Sequence, residues 1–233
     1  MKTQIPWLRV FVEGVVIVGS ILLAFGIEAW WDGAQERVFE QEALARLEVE
    51  FTENLSRLAP GRTGAEAVRA AAVHEMLQST PGETEAVSVP DSLLVGLLGT
   101  GTFDRVTPVL DGLLRSGRWE LIRDPNVREA VATWERWLAQ LVEREEFARE
   151  HVDTRLLPVL STRGDVSRVF SGLRAFGADV AESDGVTILC IDNELKAVVA
   201  EKHARNEINA SLRAQLRART EDVLAAISRS RGS

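Results

Sequence analysis

The chain has 233 residues, 45% of them hydrophobic and 27% charged, a globular balance that excludes collagen-like, low-complexity and wholly disordered chains. Thirty-five acidic against 27 basic residues leave a net charge of -8, so no general attraction to nucleic acid or anionic lipid acts over the whole molecule. The single cysteine, Cys190, closes no bridge within its own chain, and seven prolines leave room for long helices.

The first element runs from Val10 to Trp31, 22 residues whose only charges are Glu13 and Glu28. As a helix it measures about 33 Å, the thickness of a bilayer's hydrocarbon core. Trp7 and Arg9 on one side and Trp30 and Trp31 on the other mark the two membrane boundaries. The competing reading is a cleaved signal peptide, with Lys2 and Arg9 as its basic start and Ala24 to Gly26 as its cleavage site; Glu13 at the head of the apolar run is unusual for one. Residues 1–9 then form a short cytoplasmic tail, 10–31 a transmembrane helix and 32–233 a periplasmic domain, the orientation expected for a bacterial inner-membrane protein whose tail is too short to carry folded bulk.

Within the span, Arg9 and Glu13 are four residues apart and able to neutralise each other, unless a partner subunit supplies the counter-charge to Glu13. Ser20 and Ala24 form a small-xxx-small pair, and Gly19, Gly26 and Gly33 recur every seven residues. Glu13, Gly19, Ser20, Ala24 and Gly26 are the candidate helix interface, with Gly19, Ser20, Ala24 and Gly26 expected on one narrow face.

Beyond the span, Leu44, Leu47, Phe51, Leu55 and Leu58 step along one helical face up to Pro60 and Gly61, with a weak point expected at Asp32 and Gly33. If straight, the stretch from Asp32 projects roughly 40 Å past the bilayer. Thr63 and Glu66 match a capping box for a helix to about Gln78, Ser79 to Pro90 reads as a loop, and Asp91 caps a short helix to Leu98. Val106 to Ser116 is a further short helix ending at Gly117. Asp124 and Pro125 open a long one carrying Val127, Val131, Trp134, Leu138, Leu141 and Val142, with a kink before Pro158. Val186 to Ile191 resembles a strand, but with nothing to pair it reads as an extended linker or helix start. The last helix begins near Asp192 and carries Leu195, Val198, Val199, Ile208, Leu212, Leu216, Val223 and Ile227 on one side. Eight acidic residues between Asp32 and Glu66, and seven basic ones from Lys202 on, predict antiparallel pairing of the first and last helices through opposite charges. The fold class is therefore all-α, one amino-terminal transmembrane helix continuing into an extramembrane helical bundle.

Catalytic patterns fail at specific positions. Ala71, Ala148 and Ala200 stand three residues before His74, His151 and His203, where a carboxylate-bridged metal site needs Glu. Gln78 replaces the second His of a zinc-protease pattern begun by His74 and Glu75. Gly96, Gly99 and Gly101 lack the Lys and Ser/Thr of a phosphate loop, His203 and Glu207 read as an ion pair, and Cys190 in its apolar run reads as an inert buried thiol.

Glu13, the run Ser20, Ile21, Leu22, Leu23, Ala24 and Phe25, and Trp30 resemble the anchor helix of an uncharacterised family of small single-pass bacterial membrane-anchored helical proteins. The similarity continues at Leu44, Leu47, Glu50 and Asn54 and at Leu114, Ser116, Gly117, Leu121 and Ile122. Ser20 stands where the family has glycine, Gly26 where it has glutamine, and Glu28 with Ala29 where it has a polar pair. The resemblance implies an anchored helical protein and no activity.

The expectation is a non-catalytic accessory subunit of a larger membrane complex, respiratory, transport or photosynthetic, with no cofactor, no metal, no nucleic acid and no evident small-molecule substrate. Its partners are the lipid bilayer and other membrane-protein subunits. The alternative is a membrane-tethered periplasmic binding or sensing module acting through a partner.

Overall fold

A computed structural model describes residues 7–59, 65–80, 86–167, 169 and 185–232. Seven helices and one two-stranded sheet are seen among them: α1 (Trp7–Arg57), α2 (Ala65–Ser79), β1 (Ala86–Pro90), α3 (Asp91–Leu98), α4 (Pro108–Arg115), α5 (Pro125–His151), α6 (Leu157–Arg163), β2 (Val186–Cys190) and α7 (Asn193–Gly232). A 3-10 turn, Arg118–Leu121, precedes α5, and one π-helical turn, Val152–Leu156, joins α5 to α6. The chain is all-α in class, as its periodicity predicts.

α1 passes through Asp32 and Gly33 without a break. No proline interrupts it there, and a single glycine costs a helix only about 1 kcal/mol. Its carboxy-terminal half buries Glu40, Leu44, Leu47, Phe51, Asn54 and Leu58, steps of four and three that define a heptad seam. The same steps run through Val127, Val131, Trp134, Leu138, Leu141, Glu145, Ala148 and Val152, and through Leu195, Val199, Lys202, Asn206, Asn209, Arg213, Leu216, Thr220, Val223 and Ile227. α7 packs antiparallel along α5: Trp134 Nε1 donates to Thr220 Oγ1 at 2.9 Å, and His151 Nε2 donates to the Val198 carbonyl at 3.1 Å. Phe51 meets Trp134 edge-on at 4.9 Å, tying α1 to the pair.

The buried apolar residues form two cores. The basal core, nearer the apolar half of α1, joins α1, α4, the first half of α5 and the last third of α7. The distal core joins α2, α3, β1, β2, the π turn, α6 and the start of α7.

Between the distal core and the start of α5 the chain descends along α1 from Gly99 to Arg123, held by side chains that accept from its amides. Glu66 takes Gly101 N at 2.5 Å, Glu145 takes Phe103 N, Glu50 takes Val109 N and Leu110 N, and Glu40 takes Arg123 N at 2.6 Å. Asn54 holds both the N–H and the C=O of Val106. Gly117, at φ +70°, makes the left-handed turn under α4 that a side chain would resist.

Several expectations change. Ser79 to Pro90 is not all loop: Ala86–Pro90 pairs antiparallel with Val186–Cys190, so the linker reading of Val186 to Ile191 is wrong. Period-two alternation buries Thr187 and Leu189 and leaves Cys190 exposed, not a buried thiol. Asp91 does not cap α3, whose N-cap is Pro90; its carboxylate accepts from Thr187 Oγ1 at 2.6 Å. The Glu66 carboxylate holds Gly101, while Thr63 lies outside the described residues. His203 stacks on His74 at 4.9 Å, and no ion pair with Glu207 is seen among the described residues. On α7, Ile208 is 47% exposed, Leu212 is half-buried, and Leu55 on α1 is half-buried as well. Opposite-charge pairing of α1 and α7 reduces, among the described residues, to Glu48 with Arg231; Glu40 and Glu50 are used on backbone amides instead. Asp124 and Asp192 do cap α5 and α7, accepting from Asn126 N and Leu195 N at 2.8 Å each.

Candidate functional site

The apolar half of α1 is the first candidate. Every described side chain from Glu13 to Asp32 is exposed, and no residue of its most apolar 18-residue stretch is buried by the rest of the chain. This is one helix long and apolar enough to cross a membrane. Trp30 and Trp31 are exposed at its end; the side chains of Trp7 and Arg9 lie outside the described residues. Ser20 Oγ donates to the carbonyls of Val16 and Ile17 at 2.7 and 3.0 Å, which satisfies its hydroxyl within the helix and keeps its surface small.

Helical geometry separates the five interface candidates into two groups, against the expectation of one narrow face. At about 100° per residue, Gly19 and Gly26 differ by roughly 20°, while Glu13, Ser20 and Ala24 lie roughly 100° to 140° away. The glycines follow the heptad seam: counting back by sevens from Asn54 and Leu47 gives Glu40, Gly33, Gly26 and Gly19. They extend the face that α1 buries against its own domain. A Cβ added at Gly14, Gly19 or Gly26 meets nothing within 4 Å. The Ser20 and Ala24 face continues upward through exposed Trp31, Val38 and Val49.

The second candidate is a polar layer between the two cores, which reading by apolar spacing missed. On α7 the heptad positions between Val199 and Leu216 are Lys202, Asn206, Asn209 and Arg213; on α5 the facing position is Glu145. Glu145, 4% exposed, accepts from Arg213 Nε at 3.0 Å and Nη2 at 2.7 Å as well as from Phe103 N. Arg213 also donates to the Gly101 carbonyl. Lys202, 0% exposed, donates Nζ to the Gly99 carbonyl at 3.0 Å. Burial pushes its ammonium down to about 8, with the Glu66 carboxylate opposing the shift. A cavity of about 20 Å³ lies among Glu66, Lys202, Asn206, Asn209 and Arg213, with Asn206 Nδ2 buried and unpartnered. That volume admits one water-sized species. The signal that finds this layer is the heptad register itself, followed through polar residues.

A groove of about 370 Å³ separates α1 from α4, floored by Phe39, Ala43, Val109 and Leu113 and bordered by Arg46 and Arg118. Arg118 lies over the Phe39 ring at 5.2 Å. No cluster of three or more His, Cys, Asp or Glu side chains able to hold a metal occurs among the described residues. Compared with family models, curated proteins and solved structures, the chain matches none.

Proposed function

We propose that the protein is a non-catalytic accessory subunit of a larger complex in a bacterial inner membrane, held by one helix that crosses the bilayer and carrying its helical domain on the periplasmic side. One observation carries this reading: among the described residues no part of the most apolar stretch of α1 is buried, yet the same unbroken helix supplies Leu44, Leu47 and Phe51 to the basal core. An apolar helix with no partner in its own chain is stable in lipid or against another protein. The resemblance at Glu13, Ser20 to Phe25 and Trp30 points the same way. The polar layer supports a structural role, because its charged groups bond to each other and to the backbone around a cavity too small for a metabolite.

Inside lipid two helices gain little from hydrophobicity, so close approach over small residues supplies the attraction. The test is purification in mild detergent and identification of what comes with the chain. Gly19→Leu with Gly26→Leu removes the partner if the glycine face is the interface, Ser20→Leu with Ala24→Leu if the opposite face is. Unchanged co-purification by both pairs rejects the accessory role. A periplasmic reporter at Ser233 checks orientation.

The groove beside α4 favours a second reading, a tethered binding module, since its volume and apolar lining suit a small ligand. A small molecule recovered from the purified protein, and lost in Gly112→Trp, is the result that favours it.

A further inference from the structure

We infer that the basal end of the domain rests on the lipid headgroups of the bilayer that α1 crosses, with Arg37 and Arg118 meeting phosphate; this rests on the reading of α1 as a membrane span. The argument starts from helix geometry. α1 has no break, so its rise fixes how far each residue stands from the apolar stretch. Glu36 lies five residues past Trp31, roughly 8 Å, and Glu40 roughly 14 Å. At those residues the domain is already attached, because Arg123 bonds to Glu36 through its guanidinium at 2.5 Å and to Glu40 through its backbone N–H at 2.6 Å. The headgroup layer of each leaflet is about 5 to 8 Å thick. A domain hung this low has no room for a water-filled gap beneath it, and a modest tilt of α1 brings one edge lower still.

The groups at that end have the chemistry of a headgroup contact. Helical side chains lean toward the helix amino terminus, and the Arg37 guanidinium lies back at Gly33, 4.0 Å from where its Cβ would stand. Arg118 is carried on the turn that follows Gly117 and is laid over Phe39, one turn above Gln35 and two above Asp32. Neither arginine pairs with a carboxylate among the described residues, whereas Arg123 is matched by Glu36 and Arg231 by Glu48. The acidic groups of this end are partly engaged: Asp124 and Glu40 are bound to backbone amides. Trp30 and Trp31, just below, are residues that settle at the same interface. The contact holds the domain against the membrane in one orientation.

The test uses the full chain, in a Cys190→Ser background, reconstituted into vesicles of phosphatidylcholine with phosphatidylglycerol carrying a quencher on the lipid headgroup. A fluorophore is placed in turn at Glu120→Cys beside Arg118, at Ser161→Cys on α6 and at Trp31→Cys. Headgroup quenching at positions 31 and 120, absent at 161, is the expected result, with loss of the signal at 120 in Arg37→Glu with Arg118→Glu. Quenching at 31 with none at 120 overturns the headgroup contact and leaves the span intact. Absence of quenching at 31 shows that α1 does not cross the bilayer and removes both. Quenching at 120 that survives the double charge reversal, with 161 still dark, overturns the roles of the two arginines.

Discussion

The basal and distal cores share α7 and differ in what is laid across it. The basal core is made by long helices in heptad register and contains Phe51, Phe103 and Trp134. Among the described residues the distal core is aliphatic, and it is closed by short pieces: α2, α3, two five-residue strands and α6 beyond a π turn. α1 supplies residues to the first and none to the second. Three-helix packing therefore extends only as far as α1 runs, and the distal end, where α1 has stopped, sets against the continuing heptad of α7 short elements that need one another. Between them the register persists while its residues turn polar, which breaks the apolar column into two.

The sharpest way to break the comparison is at the junction. Glu145→Ala leaves Arg213 buried without its carboxylate and should cost about 3 to 5 kcal/mol by urea unfolding. Replacing both, Glu145→Leu with Arg213→Met, should cost far less than Glu145→Ala alone; an equal cost means that the layer is held by something other than the pair. Next come the cores themselves. Leu138→Ala and Leu156→Ala should each cost about 2 to 5 kcal/mol and, being well separated, add when combined. Hydrogen exchange should lose protection around the mutated core first, and uniform loss in both variants would show a single cooperative unit.

A smaller effect is expected at Asn54→Ala, which strips both polar groups of the half-buried Val106 of their partner, at about 1 to 3 kcal/mol in total because water reaches them. The gentlest probes are pH scans, one for the polar layer and one for the distal half. Lys202 gives up its proton at about 8 in the folded chain and near 10.5 when unfolded, so between those values the unfolded chain holds the extra proton and stability rises with pH. Lys202→Met should abolish that rise. In the distal half, burial holds the His151 imidazole below its ordinary value of 6.5. The unfolded chain then takes a proton the folded one refuses, so stability falls as the pH drops below 6.5, and His151→Gln should flatten that fall.

Local signals were legible in the sequence. Asp124 with Pro125 and Asp192 act within one turn of themselves, and the apolar steps coincide with the heptads of α5 through Leu141 and of α1 at Leu44, Leu47, Phe51 and Leu58, though not at Leu55, whose place on the seam Asn54 takes. Two features depended on something else. The β1 and β2 pairing joins residues about a hundred positions apart, and neither strand has a partner until the chain is folded. The polar layer lies on the same heptads, but between Val199 and Leu216 the buried positions are lysine, asparagine and arginine, so a search for apolar residues slipped to Ile208 and Leu212. Of the association face, the small residues were visible. Their division into two sides required counting back from the buried half of the helix.

The unbroken course of α1 has a mechanical consequence. Because one hydrogen-bonded rod runs from the apolar stretch into the basal core, a pull on its amino-terminal end is delivered to Leu44, Leu47 and Phe51 with no slack loop to absorb it. Drawing the helix lengthwise would shear it past α7 and tear Glu40, Glu50 and Asn54 from the descending chain together. Extraction and unfolding of the basal half then become one event, with a single yield force in place of two.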